Sequence, residues 1–268
     1  TAFTDIPHTY QDDPAFGNTF TITVTVADND APAVTATGTT TVTVNNLAPV
    51  AGSILLSNIG PIDEGDTISI SGSYTDTGSR DTHAVLITWG DGQTTSASVN
   101  SMTRTYTATH KYLDDKPDGS HSNSNTIVVT VTDDDGDTGS SSTSITINNV
   151  APIVSIEPDP TTPTAFTDVF LTSVVIEPGA GDVPTLDYAW EAFKNGVSIA
   201  TGSAATFSFS RGAVTGTDAF EVRLNVTDDD TGTDSEFVSL FVLTEFPDVF
   251  VPVNQPALPA GVEKAIVF

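Results

Sequence analysis

The residues of this chain with the most chemistry in them are carboxylates crowded into short turns. Asp133, Asp134, Asp135 and Asp137 place four carboxylates within five residues, and like charges this close repel unless water or a cation neutralises them. Calcium is a hard ion that takes roughly six to eight oxygens, and alternate aspartates are suited to supply several of them. Asp133, Asp135 and Asp137 are therefore candidate calcium ligands. The EF-hand pattern fails at two of its fixed points, because the sixth residue counted from Asp133 is Thr138 rather than Gly and the twelfth is Ser144 rather than Glu. The competing reading is a plain hairpin turn, with Asp135-Gly136 as the turn and the other aspartates facing water. A further acidic stretch, Glu64-Gly65-Asp66 beside Asp63, reads as a turn ahead of a strand rather than as a ligand cluster.

Catalysis does not assemble from the remaining side chains. There is no Gly-x-Ser-x-Gly elbow, no His-Glu-x-x-His pair and no Gly-rich phosphate loop, and Asp and Ser are so abundant that proximity of either to a His is chance. The expectation is a segment that is not an enzyme. Its 8 basic residues against 35 acidic ones give a net charge of −27. Nucleic acid requires clustered Lys and Arg, and an anionic membrane surface would be repelled, so both are excluded as partners; divalent cations are not. The absence of cysteine removes disulfide frameworks and thiolate zinc sites. No apolar run approaches the roughly 20 residues of a membrane helix, so no membrane insertion is expected in this segment. The chain opens on Thr1, and is read as a piece of a longer or processed polypeptide.

The elements that must carry the acidic turns are strands. Phe20, Ile22, Val24 and Val26 alternate with threonines; Phe220, Val222, Leu224 and Val226 alternate with Glu221, Arg223 and Asn225; Ile127, Val129 and Val131 keep the same beat. Period two puts apolar side chains on one face and polar ones on the other, which predicts half-buried strands. A second alternating run follows each acidic turn, at Thr41–Val44, Ser144–Ile147 and Phe237–Val242, so each copy is expected to end in a hairpin with an Asp-rich loop. No window of eleven or more residues shows a helical period, and the fold class is all-β.

These features recur. Asn45-Asn46-Leu47-Ala48-Pro49 returns 103 residues later as Asn148-Asn149-Val150-Ala151-Pro152. His8-Thr9-Tyr10-Gln11-Asp12-Asp13 answers His110-Lys111-Tyr112-Leu113-Asp114-Asp115, and Val131-Thr132-Asp133-Asp134-Asp135 returns 95 residues on as Val226-Thr227-Asp228-Asp229-Asp230. A period near one hundred residues is that of a domain. Val85–Trp89 runs into Gly90-Asp91-Gly92, and Leu186–Trp190 is followed by Asn195-Gly196; both Asp-Gly and Asn-Gly are tight-turn signals because both central residues tolerate positive φ.

Trp89-Gly90-Asp91-Gly92, the His110-x-Tyr112 pair, Thr130-Val131-Thr132-Asp133-Asp134-Asp135-Gly136 and the closing Asn148-Asn149-Val150-Ala151-Pro152 resemble the signature of PKD domains. The resemblance covers 48–149 in order. Residues 1–47 match its later half, and 150–245 match weakly, with Glu191 and Ala192 where the signature has Gly-Asp. It implies tandem immunoglobulin-like β-sandwiches: the C-terminal part of a domain at 1–47, a complete domain at 48–149, a divergent one at 150–245, and a linker or the start of a further domain at 246–268. It also implies Asp76 and Asp81 as calcium ligands, since some PKD-like domains hold the ion where the entering linker, here Asn46-Leu47-Ala48-Pro49, meets that loop. Tyr10 and Tyr112 are placed like the corner tyrosine of immunoglobulin sandwiches.

The expected function is structural: an extracellular or cell-surface spacer, surface-layer, filament, matrix or adhesive segment, stiffened by calcium and partnered by other protein domains or copies of itself. The alternative is an accessory module of a secreted hydrolase that grips glycans or a protein fibre. That alternative needs a planar aromatic row on a wet face, for which Tyr74, Tyr106, Phe193, Phe207 and Phe209 are the candidates.

Overall fold

Alternation becomes strand pairing in each place the sequence shows it. A computed structural model describes residues 5–14, 18–30, 32–115, 119–158, 168–213, 218–241 and 265–267. The chain divides into two compact units: Thr1–Gly60 with Thr67–His110 and Asn125–Ile145, and Pro61–Asp66 with Lys111–Ser124 and Thr146–Phe268. These units cut across the sequence copies, since Pro61–Asp66, Lys111–Ser124 and the last residues of the middle copy belong to the second unit.

In the first unit, the hairpin of Thr19–Ala27 and Thr35–Thr43 runs in unbroken antiparallel register from Thr19↔Thr43 to Ala27↔Thr35. Strand Thr67–Thr75 lies between Val50–Ala51 and Thr105–Lys111 in one sheet. In another, Ser122–Asp133 pairs with His83–Thr88, which pairs outward with Thr94–Ser96. One face of each is buried: Ile68, Ile70, Tyr74 and Tyr106 from the first, Val85, Ile87, Val129 and Val131 from the second. Trp89, at the end of its strand, stacks on His110 of the opposite sheet with ring centroids 4.8 Å apart. Fully burying side chains of this size contributes about 1.5–3 kcal/mol each, which is how a chain without cysteine holds a sandwich.

In the second unit, Asp168–Ile176 sits between Ile153–Pro158 and Thr206–Ser210. The facing sheet runs Val197–Gly202, Asp187–Lys194, Ala219–Thr227, Thr233–Phe241, with Ala265–Val267 parallel at its edge. A single core joins the two, with Val154, Ile156, Leu171, Phe207 and Phe209 packed against Trp190, Val222, Leu224, Val226 and Leu240. Ile62–Asp63 pairs in parallel with Ile147–Asn148. The only helical element among the described residues is the single 3₁₀ turn Val183–Thr185.

Two turns divide the sequence expectation. Asn195 (φ 52°) and Gly196 (φ 77°) both take positive φ, as an Asn-Gly hairpin turn requires. At Trp89-Gly90-Asp91-Gly92 the positive angles fall instead on Gly90 (95°) and Gly92 (90°), so the two glycines make the turn and Asp91 is left to accept hydrogen bonds. Of the expected linker at 246–268, all but Ala265–Val267 lies outside the described residues.

Candidate functional site

The acidic turn of the middle copy is built around one carboxylate. Asp133 ends strand Ser122–Asp133 and is 5% exposed, so its side chain does not face water as the plain-turn reading supposed. Its Oδ1 accepts the N–H groups of Asp135 (3.1 Å) and Asp137 (2.8 Å), closing the turn, and Gly136 takes the positive φ of 91°. Its Oδ2 accepts the Nδ2 of Asn46 at 2.8 Å, and Asn46 also donates to Asp137 Oδ2 at 3.2 Å. The third copy repeats the contacts of this carboxylate, with Gly232 in the place of Asp137. Asp228 Oδ1 accepts from Asp230 N–H (3.0 Å) and Gly232 N–H (2.7 Å), and Oδ2 from Asn149 Nδ2 at 3.1 Å. The recurring Asn-Asn and Asp-Asp-Asp motifs are thus one device, in which the asparagine entering a copy is held by the last hairpin of that copy. Replacing Asp133 with Ala removes the acceptor of two part-buried N–H groups and of the asparagine amide. The expected cost is about 1–3 kcal/mol in urea unfolding, with Asp30→Ala, at an exposed turn position, as the near-neutral comparison.

Of the residues singled out in the sequence, Asp135 is brought beside Asp12 and Asp13, with one oxygen of each within 4.8 Å of the others; Asp133 and Asp137 are not in this group. Asp76 and Asp81 also belong to the first unit. Asp76 Oδ1 accepts the Gly78 N–H (3.0 Å), and its Oδ2 pairs with His83 Nε2 at 2.8 Å in near-complete burial. The Arg104 guanidinium donates to the carbonyls of Asp76 and Gly78. Asp81 keeps one buried oxygen with no donor, and burial, followed by the charges of Asp76, Asp12 and Asp134, pushes its carboxyl up to about 6.

The second unit holds a larger cluster. One oxygen each of Glu64, Glu177 and Asp182 lie within 4.8 Å of one another, and so do one each of Asp114, Asp182 and Asp230. Asp182 and Asp115 are completely buried and Glu64 is 2% exposed. Glu64 Oε1 accepts the Val150 N–H at 2.7 Å and Glu177 Oε1 the Gly179 N–H at 3.2 Å, but the other oxygen of each glutamate, and both oxygens of Asp115 and Asp182, are buried without a donor. Burial pushes Glu64 up to about 8, helped by the charges of Asp182 and Glu177. Asp115 is pushed up to about 8 by burial and by Asp230, and Asp182 to about 7 by burial and by Asp114. A dry site of this kind favours whatever neutralises it, protons or metal ions. Every donor in the two groups is a carboxylate oxygen, which selects hard cations of the calcium class over zinc or copper.

These six side chains escaped the sequence reading. The Glu64-Gly65-Asp66 turn forms as expected, with Gly65 at φ 80°, yet its first side chain enters the cluster. Asp114 and Asp115 were visible as the repeat of Asp12 and Asp13. A signal for the rest exists: at a constant shift of 101 residues Asp76, Gly78, Asp81, Trp89 and Tyr106 match Glu177, Gly179, Asp182, Trp190 and Phe207. At the same shift, His83 and Arg104 become Pro184 and Ala205, so the second unit loses the imidazole and guanidinium partners that serve Asp76 and its loop in the first.

Other candidates take structural places. His110 Nε2 meets Asp91 Oδ2 at 2.7 Å while its ring covers Trp89, and Tyr112 is buried. Tyr74, Tyr106, Phe207 and Phe209 are core residues, and Phe193 lies under the Arg223 guanidinium at 4.8 Å, so these five present no open row for stacking on a sugar.

No family model and no curated protein matches the chain. Solved structures similar to it include the PKD1 domain of Vibrio anguillarum Epp (21% identity, TM-score 0.28, covering 40% of this chain and all of that one). The PKD1 domain of the Vibrio cholerae metalloprotease PrtV follows at 22% identity and TM-score 0.27, covering 38% of this chain and 99% of that one. A tetra-tandem repeat from the extending region of a large adhesion protein matches at 17% identity and TM-score 0.43, covering 82% of this chain and 56% of that one. The sheets and registers make this an all-β chain of packed, mainly antiparallel sheets, and PKD domains and tandem adhesion repeats are among the solved structures similar to it.

Proposed function

We propose that this chain is a non-catalytic extracellular repeat segment, a spacer or adhesive element of a surface assembly, whose repeats are held in order by calcium. The observation that supports it is the recurrence of one acidic set in two copies: Asp12, Asp13, Asp81 and Asp135 in the first unit, Asp114, Asp115, Asp182 and Asp230 in the second, where Asp115 and Asp182 are buried with no donor to either oxygen. An isolated buried carboxylate costs several kcal/mol, so a fold that concentrates them gains most of its order when a cation arrives. The segment then acts as a mechanical element, soft without the ion and firm with it. The partners this suits are neighbouring domains or further copies in the assembly.

The test is a pair of thermal melts of the full chain at neutral pH, one in excess calcium and one in chelator. A ligand that binds only the folded state adds RT ln(1 + [L]/Kd), about 2.7 kcal/mol at a hundredfold excess over Kd, and the calcium melt is expected several degrees higher. Coincident melts would remove calcium from the reading. Saturable retention on a polysaccharide would move the function to the accessory-module class.

A further inference from the structure

We propose that the second unit binds two divalent cations side by side, one among Glu64, Glu177 and Asp182 and one among Asp114, Asp182 and Asp230, with Asp182 as the carboxylate that bridges them. This deepens the calcium reading above and rests on it.

The bridge follows from how the oxygens are shared out. The two groups have Asp182 in common and nothing else, and each confines its oxygens within 4.8 Å. Ligand oxygens around one calcium ion sit at about 2.4 Å from it, so three oxygens gathered this closely can all reach a single ion. Asp182 has two oxygens for these two tasks, both completely buried and neither accepting a hydrogen bond. A carboxylate buried with both oxygens unsatisfied is rare in folded proteins and points to a partner of another kind. Each glutamate repeats the logic at half scale: one oxygen is fixed by a backbone N–H, which aims the other, undonated and buried, into the group. Asp115, also buried with neither oxygen satisfied, lies against Asp230 beside the second group.

The backbone is shaped around this arrangement. A Cβ at Gly179 would collide with Glu64 Oε2 and stand 2.7 Å from Asp182 Oδ2; one at Gly181 would stand 2.7 Å from Asp114 Oδ2. The two glycines that flank Ala180 therefore each leave room for one of the two groups. Charge gives the count. Six carboxylates gather here, and four of them, Glu64, Asp115, Asp182 and Asp230, are no more than 2% exposed. One divalent ion would leave most of that charge in a dry site, whereas two neutralise the larger part.

The experiment uses the full chain, stripped with chelator and dialysed. Terbium and europium are added together, and energy transfer from terbium to europium is read from the terbium lifetime. Ions a few ångströms apart shorten that lifetime severalfold, so marked quenching in the parent chain supports the pair, and a lifetime unchanged by europium overturns it. Calcium stoichiometry by equilibrium dialysis gives the second reading. Glu177→Gln and Asp114→Asn are each expected to remove about one ion, and Asp182→Asn about two. Loss of a single ion in Asp182→Asn, or loss of the same single ion when Glu177→Gln and Asp114→Asn are combined, overturns the pair and leaves the calcium reading standing. A parent chain that binds no calcium at all overturns both.

Discussion

In chelator, the Asp182→Asn chain is expected to melt several degrees above its parent, and in excess calcium several degrees below it. Asn keeps the shape of Asp and removes the charge. Without metal that charge is a liability, since the carboxyl is completely buried among Asp114, Glu177 and Asp229, and no donor reaches it. Relief of such repulsion is worth on the order of 2 kcal/mol, and each kcal/mol moves Tm by roughly 2–4 °C in domains of this size. With calcium the same charge is a ligand. A tenfold to hundredfold loss of affinity corresponds to about 1.4–2.8 kcal/mol. The change of sign between the two media is the diagnostic feature, because a residue of ordinary structural importance destabilises in both. Asp187→Asn, on an exposed strand position, serves as the control that moves neither melt. Shifts of the same sign in both media would show that Asp182 is neither a strained charge nor a ligand.

A second large effect is expected along the pH axis, and it too reverses with calcium. Burial raises Glu64 and Asp115 to about 8 and Asp182 to about 7 in the folded chain, whereas in the unfolded chain they titrate near ordinary carboxylate values. Between those limits the folded state holds more protons than the unfolded one, so unfolding releases protons and stability falls as pH rises. The contribution is fully present below the unfolded values, near pH 4, and is lost as pH climbs through 7 to 8. Metal-free melts should therefore decline steadily between pH 5 and pH 8. Calcium competes with those protons for the same oxygens, so its stabilisation grows across the same window. Melts at pH 5, 6.5 and 8 in both media check this: the two curves should diverge with rising pH, and parallel curves would count against it.

The sheets were readable because alternation is a local property. Phe220, Val222, Leu224 and Val226 form one buried row of strand Ala219–Thr227, and the acidic blocks fell on the hairpin turns where the strands had to end. The site was readable only in part, because a ligand is defined by where a side chain points after distant segments meet. Asp133 offered charge, spacing and a turn, yet its oxygens are occupied by N–H groups of its own loop and by Asn46. Glu64 looked like any turn residue, and joins the cluster only because Pro61–Asp66 folds with segments more than a hundred residues away in the chain. The Asp76 and Asp81 positions were found through resemblance, and their repeat at Glu177 and Asp182 lay in a copy whose motif match is weak. The Gly-Asp of the signature is missing there, but the acidic loop is kept.

The hydrogen bonds from Asn46 to Asp133 and from Asn149 to Asp228 span 87 and 79 positions of chain, almost a whole copy each. Contacts of such long range close late, and all-β domains dominated by them fold on the order of milliseconds to seconds. A chain delivered gradually, N-terminus first, through a narrow pore therefore cannot seal any copy until that copy's last hairpin has come through. Until then its opening strands remain unlatched and able to pass. In a chain delivered that way, the asparagine that fixes a finished repeat would leave the repeat threadable until its last hairpin arrives.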